Sequence, residues 1–385
     1  MTAPSYLFIH PLLAADEACA GYRCDFAPTA DPTPAMAQLL ADPCWRKFPA
    51  QTLWLAPALP LCANEERLTA EFAAVPADDA GSELLARLQA AGHKTALTLQ
   101  PGQTLPTSGG WDYFFLRCSH ARSLPPLALL GLSAHGKLIA GEVYNHTDHD
   151  WIRKNGFTLC SDEYLLTRNP GASRADTTRT RLLRLLALIA EDAGTAELEA
   201  VFRQEPKLSY SLLRLVNSAA VAPRTRITSF GQAINLLGRR QLQRWVQLLV
   251  YADPDNGQGP NPLLLKAAAR GHLMETLSLG LTLPAELEEP QDAAFMVGSF
   301  SLLDVLLNRP LPEILAQLPL VDAVRQALIG NDGQLGQLLA AIQHAENGDL
   351  SLAEAALAQC GIPPAEHLHA QLATLYWTGG IQLAA

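Results

Sequence analysis

One stretch decides the fold of the second half of the chain: Gln204-Glu205-Pro206-Lys207-Leu208, followed by Leu212-Leu213-Arg214-Leu215-Val216-Asn217-Ser218. Its apolar residues recur at helical spacing and would line one face of a helix from Lys207 to Asn217. Pro206 ends the helix before it, because proline cannot continue the hydrogen-bond ladder. The pattern therefore predicts a helix packed on its neighbours by a leucine-rich face.

The residues that follow continue the helical pattern. Ser229 and Gln232 have the spacing of a capping box, which opens a short helix that Gly238 closes. Arg239 to Tyr251 then carries apolar residues at positions i, i+3, i+4 and i+7. Beyond the linker we find no convincing strand, so residues 181–385 are predicted to form an all-helical domain with extra C-terminal helices.

The first half of the chain has a different period. Short apolar runs alternate with helical stretches, which favours an α/β layer or barrel with a parallel sheet. The candidate strands are Tyr6 to His10, Tyr22 to Phe26, Thr52 to Leu55, Thr95 to Leu99, Tyr113 to Arg117, Leu138 to Val143 and Phe157 to Cys160. A full (β/α)₈ barrel typically needs about 250 residues. Residues 1–168 are therefore predicted to form a reduced or incomplete (β/α) barrel, joined to the helical domain by a linker at 169–180.

Composition limits the classes of function. The chain has 385 residues and a net charge of −10, which argues against a general nucleic-acid binder because phosphate contacts need a basic surface. No apolar run approaches the roughly 18 residues of a membrane span. The seven cysteines contain no CxxC pair, as expected for reduced thiols. We expect a cytoplasmic protein without a membrane segment.

The usual catalytic motifs are missing from the sequence. It contains neither a GxxxxGK[ST] phosphate loop nor a GxSxG nucleophile elbow. The densest polar cluster is His146-Thr147-Asp148-His149-Asp150, whose His and Asp side chains are of the types that bind metals. The favoured alternative is a helix start, capped by Thr147 or Asp148, with acids that complement the helix dipole. His367 and His369 face apart on a helix and are not expected to share an ion.

Two arginine clusters leave a second alternative open. The clusters are Arg174, Arg179, Arg181 and Arg184, and Arg239, Arg240 and Arg244. An anion-binding or nucleic-acid-binding role is one interpretation, and a solvated helix face is the favoured one. Arginine near a helix N-terminus is unfavourable to the dipole. Arg239 and Arg240 are therefore expected to have specific acidic partners.

The helical half resembles the HDOD family, whose signature has the form DPxL followed by LLrlxNSa. The resemblance continues through residues 227–238, and it extends to Gly298 to Asp304 and Leu318 to Leu320, over about residues 175–385 in all. The signature positions are Pro206, Leu208, Asn217, Ser218, Ala233, Asn235, Gly238 and Asp304. HDOD domains are relatives of HD phosphohydrolases that have lost the metal-binding residues. The resemblance therefore implies a binding domain, with these positions mainly structural.

The barrel half resembles a degenerate EAL domain, the cyclic-di-GMP phosphodiesterase domain that often precedes HDOD. The similar segments are Gly21 to Phe26, Gly92 to Leu97, Asp112 to Arg117, Leu138 to Asn145 and Gly156 to Ser161. Their order and the HDOD neighbour carry the resemblance. The combination is typical of EAL-HDOD signalling proteins of the YuxH-like group.

The active-site positions that this resemblance implies are changed. Arg23 replaces the metal-binding Glu, Thr98 and Leu99 replace the paired Asp, Phe115 replaces Lys and Arg117 replaces Asp. The two Glu of a later motif become Gly141 and Tyr144, and a Gln becomes Ser161. The family reaction needs two divalent ions held by carboxylates. The resemblance therefore implies no metal, no cofactor and no phosphodiesterase activity.

We expect a non-catalytic signalling protein that acts through protein–protein interaction, with a homodimer through the N-terminal domain as one arrangement. The loss of polar contacts does not favour retained cyclic-di-GMP binding. One alternative is a receptor that binds cyclic di-GMP or another nucleotide without cleaving it. Another is a metal-dependent phosphohydrolase that uses His146, Asp148, His149 and Asp150.

Overall fold

The computed structural model describes residues 5–28, 30–103, 110–169, 206–218, 227–251, 262–284 and 289–382, with shorter pieces at 184, 186–188, 191, 194, 197–198 and 287. The chain divides into two compact units, Met1–Thr167 and Arg168–Ala385, and each is described by itself. The predicted linker, apart from Asn169, lies outside the described residues, as do most of residues 181–190.

The first unit is a closed barrel whose eight strands neighbour one another in chain order. The strands are β1 (Phe8–Ala14), β2 (Cys19–Asp25), β3 (Leu53–Pro57), β4 (Leu68–Phe72), β5 (Thr95–Leu99), β6 (Tyr113–Arg117), β7 (Lys137–Gly141) and β8 (Leu159–Ser161). Strands β2 to β8 are parallel, whereas β1 runs antiparallel to both β2 and β8. The predicted reduced barrel is confirmed. The alternative of an incomplete barrel is wrong, and the sheet is not wholly parallel.

The barrel closes in so short a chain because several of its connections, including β1 to β2 and β3 to β4, contain no α-helix in the described residues. A turn at residues 15–18 joins β1 to β2, and a 3₁₀-helix at Pro60–Asn64 joins β3 to β4. The α-helices of this unit are α1 (Pro32–Ala41), α2 (Asp79–Ala90), α3 (Cys118–Ser123), α4 (Pro126–His135) and α5 (His146–Lys154). Asp78 caps helix α2 and accepts a hydrogen bond from Gly81 N at 2.9 Å.

Strand β4 was not predicted. Its residues, Leu-Thr-Ala-Glu-Phe, are followed by two alanines, and Ala and Glu favour helices over strands. The parallel register with β3 and β5 holds it in the sheet, with Leu55 opposite Thr69 and Ala70 opposite Thr95. Tertiary pairing therefore overrides the local propensity here.

Apolar side chains form a core cluster from six of the eight strands. The cluster comprises Leu12, Leu53, Leu55, Ala96, Tyr113, Phe115, Ile139 and Leu159, with Ala14 packed against it. Branched and aromatic residues fill barrels of eight strands, which are packed cores rather than pores. Phe115, one of the changed active-site positions, is thus part of the barrel core.

Helices make up the regular structure of the described part of the second unit. They are α6 (Pro206–Val216), α7 (Phe230–Leu249), α8 (Pro262–Leu277), α9 (Pro290–Phe300), α10 (Leu303–Leu307), α11 (Leu311–Leu315), α12 (Asp322–Gly330), α13 (Gly333–Glu346), α14 (Leu350–Gln359) and α15 (Pro364–Gln382). Gly238 has φ of 75° and interrupts α7 where the sequence predicts a break. The predicted fold class, a (β/α) barrel followed by a helical domain, is confirmed.

Helices α8 and α9 cross closely because glycines lie at the contact. A Cβ on Gly298 would lie 2.6 Å from the carbonyl oxygen of Arg270 and 2.7 Å from the Cα of Gly271. The side chain of Arg270, which lies at this crossing, is buried; it donates to Ser301 Oγ at 2.6 Å and pairs with Glu346. Within the described residues, no helix is long and apolar enough to cross a bilayer.

Candidate functional site

The changed active-site positions meet at one end of the barrel. Parallel strands β2 to β8 all finish at the same end, which is where barrel enzymes carry their active sites. The predicted positions lie within the last residues of their strands or just after them: Arg23 in β2, Thr98 and Leu99 in β5, Phe115 and Arg117 in β6, Gly141 in β7, Tyr144 beyond β7, and Ser161 in β8. This carboxyl end is the candidate site.

Arg23 is at the centre of this end. Its Nε and Nη2 donate to the two carboxylate oxygens of Glu71 at 3.1 and 3.2 Å, and its Nη1 lies 2.8 Å from Asp25 Oδ1. Its guanidinium carbon lies 4.1 Å from the centre of the Phe115 ring, in a cation–π contact. Burial opposes the charged form of Arg23, but Asp25 and Glu71 outweigh it and raise the pKa. The guanidinium is thus a permanent cation at this end.

Glu71 connects Arg23 to a second changed position. Thr98 Oγ1 donates a short hydrogen bond to the carboxylate oxygen that also accepts from Arg23 Nη2. The Glu71 side chain is only 8% exposed, so little water reaches it. Charge-assisted pairs with two parallel N–H bonds are among the stronger polar contacts in proteins. The hydroxyl and the guanidinium together satisfy this buried carboxylate.

Phe115 and Gly141 are coupled by packing. A Cβ on Gly141 would lie 2.2 Å from Phe115 Cζ, far inside van der Waals contact. The neighbouring Leu99 is also buried, and its carbonyl oxygen lies 3.1 Å from Nδ1 of His120. Three changed positions therefore contribute backbone and ring surface rather than ligands.

Arg117 and Tyr144 lie at the rim. Arg117 Nε is 3.1 Å from Glu142 Oε1 in a largely exposed ion pair, and the Tyr144 side chain is also exposed. Glu142 has a left-handed backbone with φ of 55°. Exposed pairs of this kind typically contribute about 0–1 kcal/mol, so this contact matters more for local charge than for stability.

Ser161 binds a carboxylate that follows it in the chain. Its Oγ donates a short hydrogen bond to Glu163 Oε2, which also accepts from Val143 N at 3.1 Å. Burial raises the pKa of Glu163 to about 7, although the bond from Ser161 opposes this rise. Glu163 is therefore a carboxyl group that changes charge near neutral pH.

The residues present do not fit the divalent ions that the EAL resemblance implies. Four carboxylates are near this end, but Glu71 and Asp25 bind Arg23, and Glu142 binds Arg117. Glu163 is held by a hydroxyl and a backbone amide, with a raised pKa. A divalent ion needs free anionic oxygens around one point, whereas each of these four carboxylates is bound by another group.

The His-Asp cluster is dispersed around α5. Asn145, rather than Thr147 or Asp148, caps this helix and accepts from Asp148 N at 2.9 Å. Asp148 pairs with Arg122, and the His149 ring stacks on Tyr164 with centroids 3.9 Å apart. His146 Nε2 lies 3.2 Å from the Thr167 carbonyl, and Asp150 is exposed.

Burial lowers the pKa of His149 to about 4, so this ring is neutral at physiological pH. The four side chains of the His-Asp cluster do not converge on one point. The favoured prediction, that a helix starts at this cluster, is correct. Its cap is Asn145, two or three residues before the predicted Thr147 or Asp148.

Asn217 is a structural clamp in the helical unit. Its Nδ2 donates to the carbonyl oxygens of Leu213 and Ile227 at 2.6 and 2.7 Å, and its Oδ1 accepts from Ile227 N at 2.7 Å. Ser229 caps the next helix, and Gln232 reaches back to Thr228. These local contacts explain why the signature residues occur at this spacing.

The other signature positions differ in how far they are buried. Ser218 and Ala233 are fully buried, Asn235 is exposed, and burial raises the pKa of Asp304. Pro206 and Leu208 lie in the first turn of α6, and their side chains are outside the described part of the structure. His367 is buried and His369 is exposed, as expected for residues that face apart.

The second arginine cluster binds acids of its own unit. Arg240 lies 2.9 Å from both Glu289 and Asp292, and Arg244 lies 2.6 Å from both Asp292 and Glu275. The predicted acidic partners of Arg240 are thereby confirmed, and the side chain of Arg239 is not described. In the first cluster, Arg184 is exposed, whereas Arg174, Arg179 and Arg181 lie outside the described residues.

Four acidic residues at the barrel end were not predicted as site residues: Asp25, Glu71, Glu142 and Glu163. Glu71 was missed because β4 was not predicted. The other three could have been found, since each lies at or just beyond the end of a predicted strand, where barrel sites form. What the sequence did not indicate was their pairing with Arg23, Arg117 and Ser161.

Comparisons with known proteins match one domain family and two curated relatives. The HDOD domain family matches residues 177–263. The chain is 32% identical over 165 residues to the uncharacterized protein YuxH of Bacillus subtilis, covering 42% of this chain and 39% of YuxH. It is 35% identical over 141 residues to the cyclic di-GMP phosphodiesterase CdgJ of Vibrio cholerae, covering 37% of this chain and 32% of CdgJ.

The chain is also similar to a solved structure, a standalone EAL protein from Vibrio cholerae O395 bound to c-di-GMP. The match covers 43% of this chain and 92% of that protein's chain, with 12% identity and a TM-score of 0.34. The matched segments span about two fifths and one third of the two curated relatives. The chain carries an HDOD domain at residues 177–263, as predicted, and its N-terminal unit is a barrel, as the EAL resemblance implied. It is related to cyclic-di-GMP phosphodiesterase-like and HDOD proteins.

Proposed function

We propose that this protein is a non-catalytic signal-transduction protein that acts by binding other proteins, with a phosphodiesterase-like barrel that no longer hydrolyses cyclic di-GMP. The observation that carries the proposal is the Arg23 guanidinium, bound by Glu71 and Asp25 at the barrel end where a metal ion would be needed. A fixed positive charge at that point repels a divalent ion.

The chemistry of phosphodiester hydrolysis supports the loss of activity. A metal centre generates the nucleophilic hydroxide and stabilises the charge that develops on the phosphate oxygens. At this end Phe115 and Leu99 are buried apolar groups, and Gly141 has no side chain. None of these three residues has a side-chain atom that can bind a metal ion or move a proton.

Exposed apolar groups support the protein-binding part of the proposal. Leu127 and Leu130 of α4 are 80% and 66% exposed, and the helix carries no Asp, Glu, Lys or Arg. Contiguous exposed apolar surface often marks an interaction site. A second copy of the chain is one candidate partner.

The catalytic part is tested with the purified full chain, cyclic di-GMP and Mg²⁺, Mn²⁺ or Ca²⁺ in turn. We expect no linear dinucleotide above the no-protein control. Product that disappears in Glu71→Gln would contradict the proposal, because Glu71 would then act in turnover. The same samples should show no saturable heat in calorimetry with cyclic di-GMP, and saturable heat without product would favour the nucleotide receptor.

The remaining alternatives have separate tests. Stoichiometric metal in elemental analysis, lost in His146→Ala, would support the metal-dependent phosphohydrolase. Affinity capture from the organism's own cytosol, comparing the native chain with Leu127→Glu/Leu130→Glu, tests the interaction. We expect a reproducible partner that the double variant loses. Identical captures from the two proteins would exclude α4 as the binding surface.

A further inference from the structure

We propose that the guanidinium of Arg23 is a built-in cation that holds the cation position of this barrel, and that its removal opens a latent divalent-cation site formed by Glu71, Asp25 and Thr98. The inference rests on the proposed function, because it assigns a role to the residue that replaces the metal ligand. It concerns stability and ion binding, so it can fail while the absence of catalysis stands.

The geometry around Arg23 is that of a bound cation. Glu71 holds the guanidinium with both carboxylate oxygens, at 3.1 and 3.2 Å, and Asp25 holds it from another side at 2.8 Å. The Phe115 ring covers a face, 4.1 Å from the guanidinium carbon. Because three separate groups converge on one charge, removing that charge leaves all three facing an unoccupied centre.

The charges indicate what would fill that centre. Two carboxylates surround one guanidinium, and Glu71 is nearly buried, so loss of Arg23 leaves two negative charges of which one has little water. An uncompensated buried charge is strongly destabilising. Carboxylate oxygens with a hydroxyl and water are the ligands that Mg²⁺, Mn²⁺ and Ca²⁺ prefer. A divalent ion would therefore restore the charge balance.

A tethered guanidinium also explains why the native chain would need no ion. Arg23 is part of β2 and cannot diffuse away, and arginine remains protonated at all physiological pH values. A dissociable ion stabilises a fold by an amount that depends on its concentration and grows with the logarithm of that concentration above the Kd. The native barrel should thus have the same stability with or without divalent ions.

The experiment compares thermal unfolding of the full chain for the native protein, Arg23→Ala and Arg23→Ala/Glu71→Gln, each in EDTA and in millimolar MgCl₂, MnCl₂ or CaCl₂ at matched ionic strength. We expect no metal response from the native protein. Arg23→Ala should unfold several degrees lower in EDTA and recover part of that loss with at least one of the ions. The double variant should not respond.

Electron paramagnetic resonance of Mn²⁺ supplies a readout that does not depend on unfolding. We expect about one bound Mn²⁺ per chain in Arg23→Ala and in the milder Arg23→Gln, and none above background in the native protein or in Arg117→Ala. Arg117→Ala is the matched control, because it removes an arginine from the same end without opening the Glu71 position. If Arg23→Ala does not fold, Arg23→Gln decides.

The inference is overturned if neither Arg23 variant binds Mn²⁺, if the native protein binds as much, or if Glu71→Gln leaves the binding unchanged. Hydrolysis of cyclic di-GMP by the native protein would instead contradict the proposed function. The inference about Arg23 would still be decided by ion binding to the variants. The two failures are therefore distinguishable.

Discussion

The ring of Phe115 occupies the space that a side chain at residue 141 would need. A Cβ on Gly141 would lie 2.2 Å from Phe115 Cζ and 2.9 Å from Cε1. The two residues lie on neighbouring parallel strands, where Arg117 of β6 is opposite Gly141 of β7. With Phe at 115, only glycine fits at 141, so two of the changed active-site positions form one steric unit.

Gly141→Ala should lower the free energy of unfolding by about 1–3 kcal/mol, the usual effect of overpacking a core. Urea denaturation measures it. Phe115→Leu in the same chain should relieve the clash, so the double variant should lose less than the sum of the single changes. Gly131 of α4 is the matched control, since a Cβ there meets nothing within 4 Å. Equal losses in Gly141→Ala and Gly131→Ala would contradict the steric explanation.

The charge of Glu163 should make stability depend on pH. Its pKa in the folded chain is about 7, above the ordinary 4.5, so the folded state binds this proton more tightly than the unfolded state. The contribution of this carboxyl is therefore full below about pH 4.5 and is lost as the pH rises to about 7. The loss is about 1.4 kcal/mol for each unit of pKa difference.

Glu163→Gln removes this dependence, because an amide does not titrate in this range. We expect the free energy of unfolding of the native chain, measured relative to that of Glu163→Gln, to decrease as the pH rises from about 4.5 to about 7. Ser161→Ala should move the window to higher pH, because the hydroxyl donates to the charged carboxylate and lowers its pKa. A difference between native chain and Glu163→Gln that is constant with pH would contradict this prediction.

Removal of the Asn217 amide should destabilise the helical unit. Asn217→Ala leaves the N–H and the carbonyl of Ile227 without their hydrogen bonds, at a cost of about 1–3 kcal/mol for such half-buried groups. Hydrogen exchange at Ile227 N should accelerate. Ser229→Ala removes only a helix cap and should cost about 1 kcal/mol. A smaller effect for Asn217→Ala than for Ser229→Ala would count against the clamp.

Gly298→Ala should push helices α8 and α9 apart. The added methyl group would lie 2.6 Å from the Arg270 carbonyl oxygen, and backbone cannot move aside as a flexible side chain can. We expect a loss of about 1–3 kcal/mol in thermal or urea unfolding. Gly379→Ala in α15 is the control, because its Cβ meets nothing within 4 Å. Similar stability of the two variants would show that the crossing tolerates a wider separation.

The helical unit was largely predictable because its signals are local. The capping pair Ser229 and Gln232, the break at Gly238 and the helix before Asn217 each depend on residues within a few positions of one another. The barrel was predictable only as a succession of strands. No local sequence pattern predicts that β1 runs antiparallel to β2, or that Leu68–Phe72 is a strand.

The sequence by itself determined the two-part architecture and the HDOD signature. That Arg23, Thr98, Leu99 and Arg117 replace acidic residues stays a prediction from the EAL resemblance. The tertiary structure alone decided that Glu71 faces Arg23, that Phe115 leaves room only for glycine at 141, and that the His-Asp cluster disperses around α5. The reason is physical: helix caps and apolar periods are set by neighbours in the chain. Charge pairing and steric fit at a barrel end are set by strands that are far apart in sequence and that meet only when the sheet closes.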